Sequence, residues 1–127
     1  MSSHLTNKIL ISGSADENIK YWHTDTGECL KTSFGHTRAV NTLEIVNNIL
    51  FSGGSDYTIK IWNINTARYL DTLNSHEGVV SYLEGFVNTL ASASWDNKIK
   101  FWSLETGDCI QTLNAHNNIV TCLQGYL

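Results

Sequence analysis

His36, Ser52 and Asp56 are the residue types of a hydrolytic triad, in which an imidazole takes the hydroxyl proton and a carboxylate holds the imidazole. His76, Ser92 and Asp96 offer the same set, and Ser12, Asp16 and His116 offer it again in a different order. A catalytic triad is one exposed constellation that a substrate can reach. Here each position recurs at a spacing of 40 residues, together with Trp22, Trp62 and Trp102, and nothing makes one copy special. The repetition points to a structural task for these side chains rather than to hydrolysis.

Other chemistries find less support. Cys29 and Cys109 occupy one repeat column, where the middle copy has Tyr69, and Cys122 sits in another column, so no cysteine and histidine set converges on a metal ion. No metal or other cofactor is expected. The run Ser52-Gly53-Gly54-Ser55 precedes a turn into a strand instead of a helix N-terminus, which excludes a phosphate-cradling loop. Three cysteines without CxxC spacing fit reduced thiols in a reducing compartment.

The 127 residues carry 8 Lys+Arg against 12 Asp+Glu, a net charge of −4 that would repel a phosphate backbone and argues against nucleic acid. No stretch reaches the roughly 20 apolar residues of a membrane span, and the polar start Met1-Ser2-Ser3-His4 has no signal-like apolar run. No membrane contact is expected, and a cytoplasmic location is.

The elements that position these residues follow from the repeat. Ile19, Ile59 and Ile99, then Lys20, Lys60 and Lys100, then Thr32, Thr72 and Thr112 keep the same register, as do Val40, Val80 and Val120 with Leu43, Leu83 and Leu123 in the core register. Residues 9–48 and 49–88 agree at about 16 of 40 columns, enough to align the copies but leaving each its own surface. Within one copy, Ala39–Ile45, Ile49–Gly53, Thr58–Asn63 and Arg68–Leu73 are short runs rich in β-branched and aromatic residues, separated by Gly, Asn, Ser and Asp clusters. No segment holds an apolar pattern of helical period, so the class is all-β with four strands per unit.

The segments Ser12–Trp22, Ser52–Trp62 and Ser92–Trp102, each with its phased His, resemble the WD-repeat signature over nearly the whole chain. The residue after each Trp departs from the usual Asp, being His23, Asn63 and Ser103. The resemblance implies four-stranded antiparallel propeller blades, each locked by a hydrogen-bonded chain of His, Ser, Asp and Trp. The chemistry permits such a chain, because a neutral imidazole donates and accepts, a carboxylate accepts, a hydroxyl does both and an indole donates.

With strands lettered a to d from the inside outward, the chain is read as one domain, 1–127. It holds b, c and d of blade one at 8–34, blade two at 36–74, blade three at 76–114 and a lone strand a at 117–125. Only Met1–Leu5 remain for the missing strand a of blade one. Rings in this class use roughly 4 to 8 blades, so three are expected to associate head to tail. A homodimer of two chains closes a six-bladed ring in which His116 of one chain joins Ser12, Asp16 and Trp22 of the other. A seven-bladed ring would instead need a larger parent or partner chain.

The resemblance further implies a non-enzymatic platform for a protein or peptide. Candidate contact residues flank the structural His and Asp: Trp95, Tyr57, Arg38, Glu77, Glu17, Asn97 and Asn117. Trp95 stands where the other copies have Ala15 and Ser55, and exposed Trp is enriched at binding hot spots. The spacing is also similar to the propellers of F-box ubiquitin-ligase adaptors, some of which read phosphopeptides through several arginines. Arg38 and Arg68 are the whole arginine content here, which argues against that use. The alternative is a structural subunit or fragment supplying three blades of a larger assembly.

Overall fold

The computed structural model describes residues 8–74 and 76–126. They form three antiparallel sheets and no helix. The first contains β1 (Ile9–Gly13), β2 (Ile19–His23) and β3 (Cys29–Ser33). The second contains β4 (Val40–Val46), β5 (Ile49–Gly54), β6 (Ile59–Asn63) and β7 (Tyr69–Leu73). The third contains β8 (Val80–Gly85), β9 (Thr89–Ser94), β10 (Ile99–Ser103) and β11 (Cys109–Leu113). Each is a meander of sequential strands, so local turns suffice to set the topology.

The turn chemistry is specific to each connection. Asn47 and Asn48 both have positive φ, 52° and 63°, which is the two-residue turn whose twist matches the flanking strands β4 and β5. The turns from β1 to β2, β5 to β6 and β9 to β10 each place one residue in the left-handed region: Glu17, Tyr57 and Asn97. Between the third and fourth strand of each blade, the left-handed position falls to Gly27, Ala67 and Gly107, whose amides bond the carbonyls of His23, Asn63 and Ser103.

The cores lie between sheets, not within one. Ile19 and Tyr21 of the first sheet pack with Val40, Leu50 and Trp62 of the second. Val46, Phe51, Ile59 and Leu73 of the second pack with Val80, Leu83, Leu90 and Trp102 of the third. Both sets arise because alternate residues of a strand face opposite sides, so each sheet offers an apolar face to each neighbour. Hydrogen bonds sew the joints, the Val40 amide donating to the Ser14 carbonyl at 2.9 Å.

The strand expected at 117–125 is not formed: among the described residues, 117–126 pair in no sheet ladder. They join the third sheet through the Val120 amide, which donates to the Ser94 carbonyl at 3.1 Å, and through the Ser81 hydroxyl, which donates to the Val120 carbonyl. A ladder needs a neighbour on the segment's own sheet, and among the described residues none flanks it. The inner strand sought in residues 1–5 lies outside the described residues. Leu43 and Leu123, assigned to the core register, are only half-buried, whereas Leu83 in the same column is buried.

Ala67 has φ +62°, a conformation that costs a side-chain-bearing residue about 1 kcal/mol, and it stands in the column of Gly27 and Gly107. The Ala67→Gly variant is expected to gain up to about 0.5 kcal/mol in urea unfolding, after the looser unfolded chain is counted. A loss of stability would show that the Ala67 methyl packs to greater effect than its backbone strains.

Candidate functional site

Strand β5 presents Ser52 from the middle of the second sheet, and three elements converge on its hydroxyl. The His36 Nε2 lies 2.7 Å away and the Trp62 indole N–H donates at 2.7 Å. His36 Nδ1 in turn lies 2.9 Å from Asp56 Oδ2. A carboxylate only accepts, so Nδ1 carries the proton, Nε2 accepts from the Ser52 hydroxyl, and the Ser52 oxygen accepts from the indole. Asp56 is saturated further, taking the Thr37 amide at 3.0 Å on one oxygen and the Thr58 amide and hydroxyl at 3.1 and 2.7 Å on the other.

The third sheet repeats this set. His76 Nδ1 is 2.9 Å from Asp96, its Nε2 is 2.7 Å from Ser92, and the Trp102 indole donates to Ser92 at 2.9 Å. Beside each of these Trp residues the outer strand carries one extra residue, so that Trp62 opposes Tyr69 and Trp102 opposes Cys109, while the pairing with the serine strand runs without a shift.

These are the distances of a catalytic triad, yet Ser52 and Ser92 are 0% exposed. Each hydroxyl already gives its proton to the imidazole and receives one from the indole, which leaves no approach for a substrate carbonyl. Burial lowers the pKa of His36 and His76, against the opposing pull of Asp56 and Asp96. Burial also pushes the Asp56 carboxyl upward, but the hydrogen bonds from Thr58, Thr37 and His36 outweigh it and hold the group below the ordinary carboxylate range. For Asp96 the same burial is outweighed by His76 and the amides of Glu77 and Lys98.

The first sheet has half the set. Trp22 donates to Ser12 at 2.9 Å and Asp16 accepts the Asn18 amide at 3.1 Å, but among the described residues no imidazole is bonded to either side chain. His116 stands exposed at the far end of the chain with no hydrogen-bond partner among the described residues.

The candidate contact residues spread over one rim. Arg38 and Tyr57 are exposed and, with Thr37, Ser55, Asp56 and Val79, line an open cavity of about 420 Å3. Trp95, half exposed at 50%, occupies the Ser55 position of the third sheet. Glu77 is exposed and its amide donates to Asp96 at 3.1 Å, Asn97 is half-buried in the following turn, and Glu17 is exposed in the corresponding turn of the first sheet. Asn117 lines a separate open groove with His116 and Val120.

Two features escaped the sequence reading. Lys60 and Lys100 stand in a repeated column to which the sequence gives no role, and each ammonium donates to Thr72 or Thr112 at 3.1 Å, tying the third strand to the fourth. An apolar cavity of about 260 Å3 opens between the second and third sheets, against Phe51, Ile61, Leu73 and Trp102. The signal was the columns themselves: Ile61 stands where the first sheet has Tyr21, whose hydroxyl bonds Ser33 at 3.0 Å, and Gly107 stands where the second has Ala67.

The family description "WD domain, G-beta repeat" matches residues 27–63 and 67–103, together more than half of the chain. Comparison with curated protein sequences gives no match. Among solved structures, the computationally designed protein Ika8 aligns at 35% identity with a TM-score of 0.86, over 98% of this chain and 39% of its own. The designed protein Ika4 aligns at 34% identity and 0.86, over 96% of this chain and 76% of its own. The WD40 repeats of RRP9 align at 26% identity and 0.85, over 90% of this chain and 37% of theirs. The chain thus spans about two fifths of the length of Ika8 and of the RRP9 repeats.

Two measurements test the buried network. In Ser52→Ala, the His36 Nε2 and the Trp62 indole lose their partner in a dry site, at a cost of about 2 to 4 kcal/mol in urea unfolding. Ser12→Ala should cost less than about 1 kcal/mol, because Ser12 and Trp22 are only half-buried and water can replace the hydroxyl; equal losses would refute the assignment. Acid supplies the second test. The lowered imidazoles are neutral in the fold, so the unfolded chain binds protons first, and stability falls as pH drops below the ordinary imidazole value of 6.5. The lowered carboxylates add a further loss below their ordinary value of 3.8. A melting temperature that stays flat from about pH 7.5 to 5 would contradict the buried neutral imidazoles.

Proposed function

Because this chain belongs to the WD-repeat family, we propose that it is a non-enzymatic interaction scaffold, a propeller platform completed by head-to-tail association of chains. WD-repeat propellers serve in general as rigid protein-binding surfaces, and the two complete networks supply that rigidity here. The single observation that carries the platform reading is Trp95. A Trp held 50% exposed in a tight turn, where the other blades have Ala15 and Ser55, presents a large rigid contact area.

The neighbouring rim defines the kind of ligand. Arg38 and Tyr57 flank an open cavity, and one guanidinium without a second does not make a phosphate clamp, so an extended peptide with an apolar or aromatic anchor suits the surface better than a phosphopeptide. A second reading, a structural piece supplying three blades of a larger propeller, draws support from the chain's covering only 39% of Ika8 and 37% of the RRP9 repeats.

Panning a random peptide-display library against the purified chain tests the first reading. Selected peptides are expected to lose at least about tenfold in affinity for Trp95→Ala while its solution mass by light scattering stays unchanged. A changed mass would assign Trp95 to packing between blades, and unchanged affinity would remove it from the platform.

A further inference from the structure

We propose that the groove beside β1 is the seat for residues 116–126 of a second copy of this chain, in a register that the repeat dictates residue by residue. The proposal rests on the head-to-tail association above and adds where the exchanged segment binds. Three repeat columns show that the first sheet lacks, among the described residues, the inner strand and the preceding sheet that complete its two neighbours. Leu10, Leu50 and Leu90 share a column; Leu50 packs with Ile19 and Tyr21 of the first sheet and Leu90 with Phe51 and Ile59 of the second, both at 0% exposure, while Leu10, with no preceding sheet against it among the described residues, is 60% exposed. Ser52 and Ser92 are buried and Ser12 is not, and Trp62 and Trp102 are buried while Trp22 is half-buried. Uncovered, these residues leave a groove of about 300 Å3 lined by Ile9, Leu10 and Ile11 on one side and Leu43, Glu44 and Ile45 on the other.

The segment 116–126 has the complementary chemistry. In the second sheet, β4 pairs Leu43 with Ser52, Glu44 with Phe51, Ile45 with Leu50 and Val46 with Ile49. Translated by the repeat, the incoming segment sets Leu123 opposite Ser12, Gln124 opposite Ile11, Gly125 opposite Leu10 and Tyr126 opposite Ile9. His116 then lies between Ser12 and Asp16, as His36 lies between Ser52 and Asp56 at 2.7 and 2.9 Å.

Contacts across the joint translate as well. The Gly85 amide donates to Glu44 at 2.6 Å in the existing joint, and its counterpart, the Ile45 amide, meets the Gln124 side-chain carbonyl. Asn41 donates to the Val80 carbonyl at 3.3 Å and Ser81 donates to that of Val120; the Thr121 hydroxyl is the matching donor for the Val40 carbonyl. The joint contacts made by Glu44 and Asn41 thus find side chains able to replace them, while two others do not: Cys122, a weak acceptor, replaces Thr42, which accepts the Leu83 amide at 3.1 Å, and the apolar Leu127 stands in the column of Asn47, whose side-chain amide donates to the Val87 carbonyl at 3.1 Å. Two such exchanges between two chains close the ring without leaving a sheet edge.

The register is tested by cross-linking. Ile9→Cys with Tyr126→Cys, in a background of Cys29→Ser, Cys109→Ser and Cys122→Thr, is expected to form disulfides between copies under mild oxidation and to run at twice 14.2 kDa on a non-reducing gel. The out-of-register pair Ile9→Cys with Leu123→Cys should not. A cross-linked species of single-chain mass would overturn the proposal, as the tail would then occupy its own groove. Light scattering on the unmodified chain separates the two readings. A doubled mass without the cross-link leaves association standing and refutes this seat, and a single-chain mass at tens of micromolar refutes both. His116→Ala, an exposed position that the fold does not need, is expected to raise the dissociation constant of the pair by at least about tenfold, and an unchanged constant would overturn the role of His116.

Discussion

The rest of the structure depends on a buried serine hydroxyl that must be satisfied. Ser52 has no access to water, and its hydroxyl donates to one imidazole and accepts from one indole. That obligation ties β5, which carries the serine, to β6, which carries the Trp, and to the loop before β4, which carries the His. The carboxylate of Asp56 then fixes the turn between β5 and β6, because it accepts amides from both Thr37 and Thr58. A single polar chain therefore sets the order and angle of three strands that apolar packing alone would hold less specifically.

The second constraint is that each blade is finished by its neighbours. Apolar faces meet between sheets, so a blade at the end of the row leaves one face uncovered. The Leu10, Leu50 and Leu90 column acts as an internal control: the same residue type in the same register is bare or dry according to whether another sheet lies against it. Among the described residues the network at Ser12, Asp16 and Trp22 has no imidazole, and the imidazole of His116 has no hydrogen-bond partner. Function follows from this architecture, since a rigid row of blades presents its turns at fixed positions, and side chains such as Trp95, Arg38 and Tyr57 can differ there without disturbing the joints.

Much of this was legible in the residues. The period of 40, the all-β class, the turn residues and the grouping of His36 with Ser52, Asp56 and Trp62 follow from residue type and spacing, because a repeated register leaves one way of stacking like on like. The position of Trp95 on an exposed turn could also be anticipated, since the same turn holds Ala15 and Ser55 in the other copies.

What the sequence could not fix was decided by neighbours in space. Whether Leu43 is dry, whether 117–125 becomes a strand, and whether a cavity opens against Trp102 depend on which sheet lies alongside. By itself the sequence determined each blade's internal order, because strand pairing, turns and the buried network are contacts within one repeat. Only the tertiary structure decided burial and pairing at the ends of the row, because those are properties of two surfaces meeting and a single repeat encodes one of them.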